Sequence, residues 1–332
     1  KTANQCTLDK MSLNRKNPVQ NIFNQVTNRK VKELDLSYCN LRRVIIPETL
    51  TARLKIVNLR QAKNIPPELM SRALASDSIE ELDLSFCDLR GVIVPETLPA
   101  SLKTLNLRWA KNIPPELMSR ALASDSIEEI NLSDCDLSIL TDDDIPNPLP
   151  DTLKTLNLKW ARNIPPQLIK SALASNIEEL DLYGCDLSIL TDDDIPNPLP
   201  DTLKTLNLEM VTTPPPALIS RALASDSIEE LAVHKCDLSI LTDDDIPNPL
   251  PASLKKLNLR HARNIPPALI SRALASDSIE ELNLSYCDLS ILTDDDIPNP
   301  LPDTLKTLNL EWARNIPPQL IKSALASNIE EL

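Results

Sequence analysis

The feature that most constrains this chain is a strand-like segment that repeats along nearly its whole length. The segment IEELDLSFCDL begins at Ile79, similar segments begin at residues 127, 177, 228 and 279, and a more divergent copy begins at residue 31. A second kind of segment, exemplified by LKTLNL from Leu102, alternates with the first and recurs from residues 54, 153, 203, 254 and 305. Self-similarity at a regular period is typical of stacked repeats, so we expect twelve strands whose units contact only their neighbours.

Both kinds of segment share the spacing L-x-x-L-x-L, and the first kind completes the pattern L-x-x-L-x-L-x-x-N/C with its cysteine. We number the positions from the first apolar residue, so that Ile79 is position 1. Side chains alternate between the two faces of a strand. The pattern therefore predicts that Leu82 and Leu84 face the core. It places Glu81, Asp83 and Ser85 on the opposite surface, with Phe86 at its edge.

The connections between the segments are of two kinds. Residues 113–123 combine two prolines with a Leu/Ala spacing, which predicts a helix with proline in its first turn. Residues 141–150 contain three prolines and three consecutive aspartates, which predicts extended chain with short turns.

The repeat resembles that of leucine-rich-repeat proteins over residues 31–332. The resemblance implies an α/β solenoid of horseshoe shape, with a single parallel sheet on the concave face and helices and extended or turn segments on the convex face. The Leu-Pro-x-x-Leu junctions at 98–102 and 149–153 are similar to the short repeats of secreted bacterial effectors. The cysteine-bearing segments resemble the cysteine-containing and ribonuclease-inhibitor types.

This mixture implies a protein-interaction scaffold, a bacterial effector that acts on a host protein inside the host cytoplasm. The alternative is the substrate-recognition arm of a larger enzyme such as a ubiquitin ligase, although no residue here matches a ligase's catalytic cysteine region. Residues 1–30 lack the repeat, and residues 19–26 are predicted to form a helical cap over the first strand. Residues 329–332 enter a further strand-like segment, so we expect the natural protein to continue.

Composition and charge exclude several classes of function. The net charge of −14 opposes contact with nucleic acid or an anionic membrane, because both carry negative charge. The sequence has no apolar run of about 18 residues, so no transmembrane helix is predicted. It contains only two glycines, which argues against phosphate-cradling loops. We therefore expect a monomer with no cofactor and no metal.

Six of the seven cysteines share position 9 of the first kind of segment. Successive members lie two strands apart, about 10 Å, whereas a disulfide needs Cα atoms within about 7 Å. We expect buried, unpaired thiols, which favours a reducing cytosol. Cys6 is not assigned. The six are Cys39, Cys87, Cys135, Cys185, Cys236 and Cys287.

Positions 7 and 8 of the twelve segments, which we call the aromatic stripe, contain seven of the eight aromatic residues, with Phe23 the exception, and both histidines. Segments 135–160 and 185–210 are identical except at these two positions, Lys159-Trp160 against Glu209-Met210. Trp, Tyr and Arg dominate the energetics of interfaces, so the stripe predicts a protein-binding surface. The alternatives are simple packing of rings between strands, or a carbohydrate that stacks on them. The predicted partner-binding residues are Tyr38, Arg60, Phe86, Arg108, Trp109, Lys159, Trp160, Tyr183, Met210, His234, Arg260, His261, Tyr286 and Trp312.

The remaining motifs have structural interpretations. The aspartate triplets 142–144, 192–194, 243–245 and 294–296 are predicted to cap turns, with calcium binding as the alternative. Glu80 and Glu128 are predicted to flank Lys103 on neighbouring strands. His234 and Cys236 are predicted to face opposite sides of a strand, which makes them a poor nucleophile–base pair. We therefore expect no enzyme activity from these residues.

Overall fold

A computed structural model gives the structure of the chain and describes residues 31–42, 44–48 and 50–332. The predicted helical cap, Cys6 and Phe23 lie outside the described residues. In the described part, no helix combines the length and the apolar character that a membrane span requires.

Short parallel strands form at positions 3 to 5 of the repeats, and their order in the sheet is their order in the chain. Like positions pair, as Leu82 does with Leu105. The predicted leucine-rich-repeat fold is thus confirmed. The strands are β1 Glu33–Asp35, β2 Ile56–Asn58, β3 Glu81–Asp83, β4 Thr104–Asn106, β5 Glu129–Asn131, β6 Thr155–Asn157, β7 Glu179–Asp181, β8 Thr205–Asn207, β9 Glu230–Ala232, β10 Lys256–Asn258, β11 Glu281–Asn283 and β12 Thr307–Asn309.

The chain divides into two compact units. Unit 1 contains the described residues up to Asn157 together with Ala161–Ser171, and unit 2 contains Leu158–Trp160 together with Ala172–Leu332. Strands β1 to β6 therefore belong to unit 1 and β7 to β12 to unit 2.

The core of each unit is aliphatic. Positions 1, 4 and 6 supply it, as in Leu102, Leu105 and Leu107, which are almost fully buried. Leu82 and Leu84 are buried as predicted. Each such side chain contributes about 1.5–3 kcal/mol relative to an exposed one, so the leucine ladder is the main stabilising feature of the fold.

A short helix follows each strand of the second kind among the described residues, as predicted. Each begins with a proline, whose missing N–H would have no partner in the first turn anyway. In the second helix, Leu117, Met118, Ala121 and Leu122 are buried, so its apolar side packs on the core. The helices are α1 Pro67–Leu74, α2 Pro115–Leu122, α3 Pro166–Leu173, α4 Pro216–Leu223, α5 Pro267–Leu274 and α6 Pro318–Leu325.

The aspartate triplets form 3-10 turns rather than wholly extended chain. The third aspartate closes the turn: Asp144 Oδ2 accepts hydrogen bonds from the backbone N–H and the hydroxyl of Thr141, at 2.8 and 2.7 Å. The first aspartate serves the next helix, since Asp192 Oδ1 accepts from the backbone N–H of Ala217 in α4 at 2.9 Å. Capping thus accounts for two of the three carboxylates. No group of three or more potential metal ligands occurs among the described residues.

The Glu/Lys pairs lie beside the strands, with one change of partner. Lys103 Nζ lies 3.2 Å from Glu128, as predicted, whereas Glu80 pairs with Lys55 at 2.7 Å rather than with Lys103. These pairs are largely exposed, so each contributes about 0–1 kcal/mol.

Candidate interaction surface

The aromatic stripe lies in the turns that directly follow the strands. Where position 5 is Asp or Asn, its side chain makes the turn by accepting a hydrogen bond from the backbone N–H of position 7. Asn106 Oδ1 accepts from Arg108 at 3.0 Å, and Asp83 Oδ1 accepts from Ser85 at 2.8 Å. This arrangement is an Asx turn, and it ends the strand after position 5.

Position 8 has left-handed backbone in all twelve repeats. Its φ is 67° at Gly184 and lies between 54° and 62° at the other eleven residues, none of which is glycine. The eleven are Tyr38, Gln61, Phe86, Trp109, Asp134, Trp160, Met210, Lys235, His261, Tyr286 and Trp312.

The turn corrects one prediction from the sequence. Ser85 was expected on the exposed surface, but it is 1% exposed, and Ser133 and Ser285 are buried in the same way. The alternation of a strand no longer applies at position 7, because the chain has already turned. Long side chains at this position, such as Arg60 and Arg108, still reach solvent.

In unit 1, rings and guanidinium groups of the stripe pack against each other. The rings of Phe86 and Trp109 stack with centroids 6.2 Å apart and planes 12° apart. The guanidinium carbons of Arg60 and Arg108 lie 5.7 and 5.9 Å from the Phe86 centroid, within the range of cation–π attraction. Tyr38, which holds the same position as Phe86 two segments earlier in the chain, is exposed.

In unit 2, a first cluster forms around Trp160 and Tyr183. Their rings meet edge to face at 5.4 Å, and Lys159 Nζ lies 4.2 Å from the Tyr183 centroid. The Tyr183 hydroxyl donates to the sulfur of Met210 at 2.9 Å. A Cβ at Gly184 would stand 2.5 Å from a carbon of the Trp160 ring, so only glycine lets the indole lie over this turn.

A polar cluster lies next to it in unit 2. Glu209 Oε2 is 3.3 Å from His234 Nδ1, and Glu209 Oε1 accepts from the side-chain amide of Asn258 at 2.7 Å. Asn258 belongs to β10 and Glu209 follows β8, so the carboxylate reaches past Ala232 of β9, where other repeats have Asn or Asp. Burial lowers the pKa of His234, and the hydrogen bond to Glu209 opposes that effect.

A second ring cluster in unit 2 comprises His261, Tyr286 and Trp312. His261 and Tyr286 stack at 5.5 Å with planes 3° apart, and Tyr286 and Trp312 stack at 6.3 Å. The Arg260 guanidinium carbon lies 5.2 Å from the Tyr286 centroid. A groove of about 560 Å³ opens beside these rings.

The stripe therefore combines ring packing with exposure. Its rings contact one another, yet its exposed members range from 37% exposure for Phe86 to 69% for Trp312. Packing between rings of neighbouring repeats explains how the rings are arranged, but it leaves a large part of their apolar surface in contact with water.

The six described cysteines are buried and form no disulfide with one another, as predicted. The thiol of Cys236 donates to the carbonyl of Leu208 at 3.0 Å, and burial raises its pKa to about 12. Cys236 therefore holds its proton inside the core, while His234 pairs with Glu209 on the other side. The two residues do not form a nucleophile–base pair.

Comparisons with known proteins concern the fold. A family model described as a leucine-rich repeat matches residues 27–42. A comparison with curated proteins finds no match.

Three solved structures are similar to this chain at low sequence identity. A leucine-rich-repeat protein of Leptospira interrogans is 19% identical, with a TM-score of 0.46, over 85% of this chain and 68% of that one. The plant peptide hormone receptor RGFR1, in complex with RGF2, is 17% identical with a TM-score of 0.45, over 85% of this chain and 43% of that one. The Toll–Spatzle complex of Drosophila is 15% identical with a TM-score of 0.38, over 81% of this chain and 35% of that one.

Proposed function

We propose that this chain is a protein-binding scaffold that holds its partner with the aromatic stripe. The observation that carries the proposal is the conformation of position 8. A left-handed backbone costs a residue with a side chain about 1–2 kcal/mol, and glycine would avoid that cost. Six of the twelve position-8 residues are nevertheless Phe, Tyr or Trp, all at positive φ. Strained backbone that persists is typical of functional sites.

The exposure of these rings supports the same conclusion. Half-exposed Trp and Tyr lose unfavourable contact with water when a partner covers them, and they are the residue types that most often dominate binding energy. Arg60, Arg108 and Arg260 lie over these rings and extend the surface with hydrogen-bond donors.

The partner is a host protein in this proposal, and the chain is a monomeric effector that a bacterium secretes into the host cytoplasm. Two observations support it. The Leu-Pro-x-x-Leu junctions resemble those of secreted bacterial effectors, and the described cysteines form no disulfide with one another, which suits a reducing cytosol.

Affinity capture of host proteins with the purified chain tests the proposal. The double variant Trp109→Ala/Trp160→Ala removes one large ring from each unit. Truncation of a dominant interface residue costs about 2 kcal/mol or more, so recovery of a specific partner should fall by about thirtyfold.

The matched control is Ile93→Ala/Ile189→Ala, which removes two exposed aliphatic side chains that lie outside the stripe. We expect this control to recover the partner as the wild type does. Equal recovery by the tryptophan variant, with its circular dichroism and unfolding midpoint unchanged, would exclude the stripe as the binding surface.

A further inference from the structure

We propose that the groove beside His261, Tyr286 and Trp312, which we call the ring groove, receives a large apolar side chain of the partner together with a neighbouring carboxylate. The segment that this chain recognises is then an acidic peptide segment. The inference rests on the proposed function and names the chemistry of the partner at one part of the stripe.

The shape of the ring groove suits a side chain. Its volume of about 560 Å³ lies within the range of about 300–1,000 Å³ that is usual for ligand pockets. The stacked rings of His261, Tyr286 and Trp312 line it together with Ile265 and Ile291, and Ile291 is exposed. One part of the lining is thus apolar and aromatic, and the groove remains open to a partner.

The charges of the ring groove favour a carboxylate. Arg263 and Arg314 both line it, and within the described part of the chain neither guanidinium takes part in a hydrogen bond or a salt bridge. Among the described lining residues the one carboxylate is Asp288. It already accepts hydrogen bonds from the backbone N–H of Ser290 at 3.0 Å and from Asn315 at 2.9 Å.

Arg263 and Arg314 attract the carboxylates of Asp237 and Asp288, respectively, but form no hydrogen bond with them. Both guanidinium groups therefore keep hydrogen-bond donors for a partner, in a chain whose net charge is −14. Each guanidinium can hold a carboxylate with two parallel hydrogen bonds, whereas an ammonium acts as a point charge. A partner carboxylate near the inserted apolar side chain would use these donors.

The equivalent place in unit 1 has a different composition. Lys63 and Lys111 stand where unit 2 has Arg263 and Arg314, and Gly91 stands where unit 2 has Ile291. The place between Lys63 and Lys111 therefore lacks both the bidentate donors and the aliphatic wall, and it provides the matched control.

A phage-displayed library of random peptides of about twelve residues, selected against the whole chain, tests this proposal. We expect the recovered peptides to contain Asp or Glu close to an aromatic or large aliphatic residue. The variant Arg263→Ser/Arg314→Ser should lower their recovery by about tenfold or more, while Lys63→Ser/Lys111→Ser should leave it unchanged. A synthetic peptide with Asn in place of the acidic residue should bind the wild type more weakly than the acidic peptide does. The arginine variant should bind the two peptides equally, because the groups that distinguish them are gone.

The proposal would be overturned by recovery of peptides without acidic residues, by equal recovery with the arginine variant, or by binding of oligosaccharides with no peptide recovered. Trp109 and Trp160 do not line the ring groove. Loss of partner capture in the tryptophan variant but not in the arginine variant would therefore reject the ring groove and leave the proposed function standing.

Discussion

At the scale of single residues, a second position with left-handed backbone has the same residue type in every repeat but one. Position 11 of the second kind of segment has φ between 51° and 53° and is Asn in five of six repeats. Each of these amides donates to an Asp or Asn of the preceding segment, as Asn112 does to Asp88 at 2.9 Å. In the sixth repeat the position is Thr213, which has no amide and is β-branched.

The substitution Thr213→Asn should therefore stabilise the chain. Asn tolerates left-handed backbone better than a β-branched residue, and its amide can reach Asp186 as its counterparts reach theirs. We expect a gain of about 1 kcal/mol in the free energy of unfolding, measured as a higher urea midpoint. Thr212→Asn, one residue earlier, is the control. An equal effect of both variants, or no effect of either, would contradict this explanation.

His234 gives the stability of unit 2 a pH dependence. Burial lowers the pKa of His234, Lys235 and Arg260 act in the same direction, and Glu209 opposes them. The folded state therefore disfavours the proton, while the unfolded state takes it up below about pH 6.5. Stability is fully present above that value and is lost as the pH falls.

We expect the stability advantage of the wild type over His234→Gln to be smaller at about pH 5.5 than at about pH 7.5. Urea unfolding of both proteins at the two pH values measures this difference, and His261→Gln controls for the loss of an imidazole elsewhere. A difference between wild type and His234→Gln that does not change with pH would disprove the role of His234.

At the scale of elements, an arginine in each of four helices donates hydrogen bonds to backbone carbonyls of a preceding loop. Arg120 in α2 donates to the carbonyls of Val94 and Pro95 at 3.1 and 2.5 Å. Arg272 in α5 donates to the carbonyls of Asp243, at 3.1 Å, and Ile246. Helices α3 and α6 have serine at this place, so their loops lack the contact.

The substitution Arg272→Ala should loosen the 3-10 turn at Asp243–Asp245. Hydrogen bonds from a charged donor contribute about 1.5–3 kcal/mol, and this side chain is only partly exposed. We expect faster amide hydrogen exchange at Asp245 and Ile246, whose N–H groups close that turn. The control Lys322→Ala in α6 removes an exposed cation and should leave exchange at Asp245 and Ile246 unchanged. Unchanged exchange in the arginine variant would show that the hydrogen bonds of the turn's own aspartates are enough to stabilise it.

At the scale of the whole molecule, the elements could be predicted from the sequence more fully than the turns. Leu82 and Leu84 identify a strand because alternating side chains reach one core, and the proline before Leu117 identifies a helix start. The prediction for Ser85 was wrong because a pattern of alternation does not say where a strand stops. Asp83 and Gly184 contained that signal, since Asx turns and positive φ favour those residue types. The link between Glu209 and Asn258 could not be predicted, because it joins residues 49 apart and depends on strand register.

The buried cysteines make the intact fold resistant to thiol reagents. Burial raises the pKa of Cys87 and Cys236 to about 12 and of Cys135 and Cys287 to about 11, so almost no thiolate exists at pH 8. In Cys6→Ser, which keeps only the six described cysteines, we expect no reaction with a disulfide reagent until urea is added. Ser290→Cys, at an exposed position, should react at once. Labelling of the native Cys6→Ser protein would show that the repeats open locally.

The left-handed turns also affect how the surface of such a chain can evolve. Segments 135–160 and 185–210 differ only at positions 7 and 8, and substitutions there alter a turn without changing the leucines beneath it. One duplication followed by changes in two codons therefore creates a new surface on an unchanged core. Libraries randomised at these pairs alone should consist mostly of folded proteins that differ in what they bind.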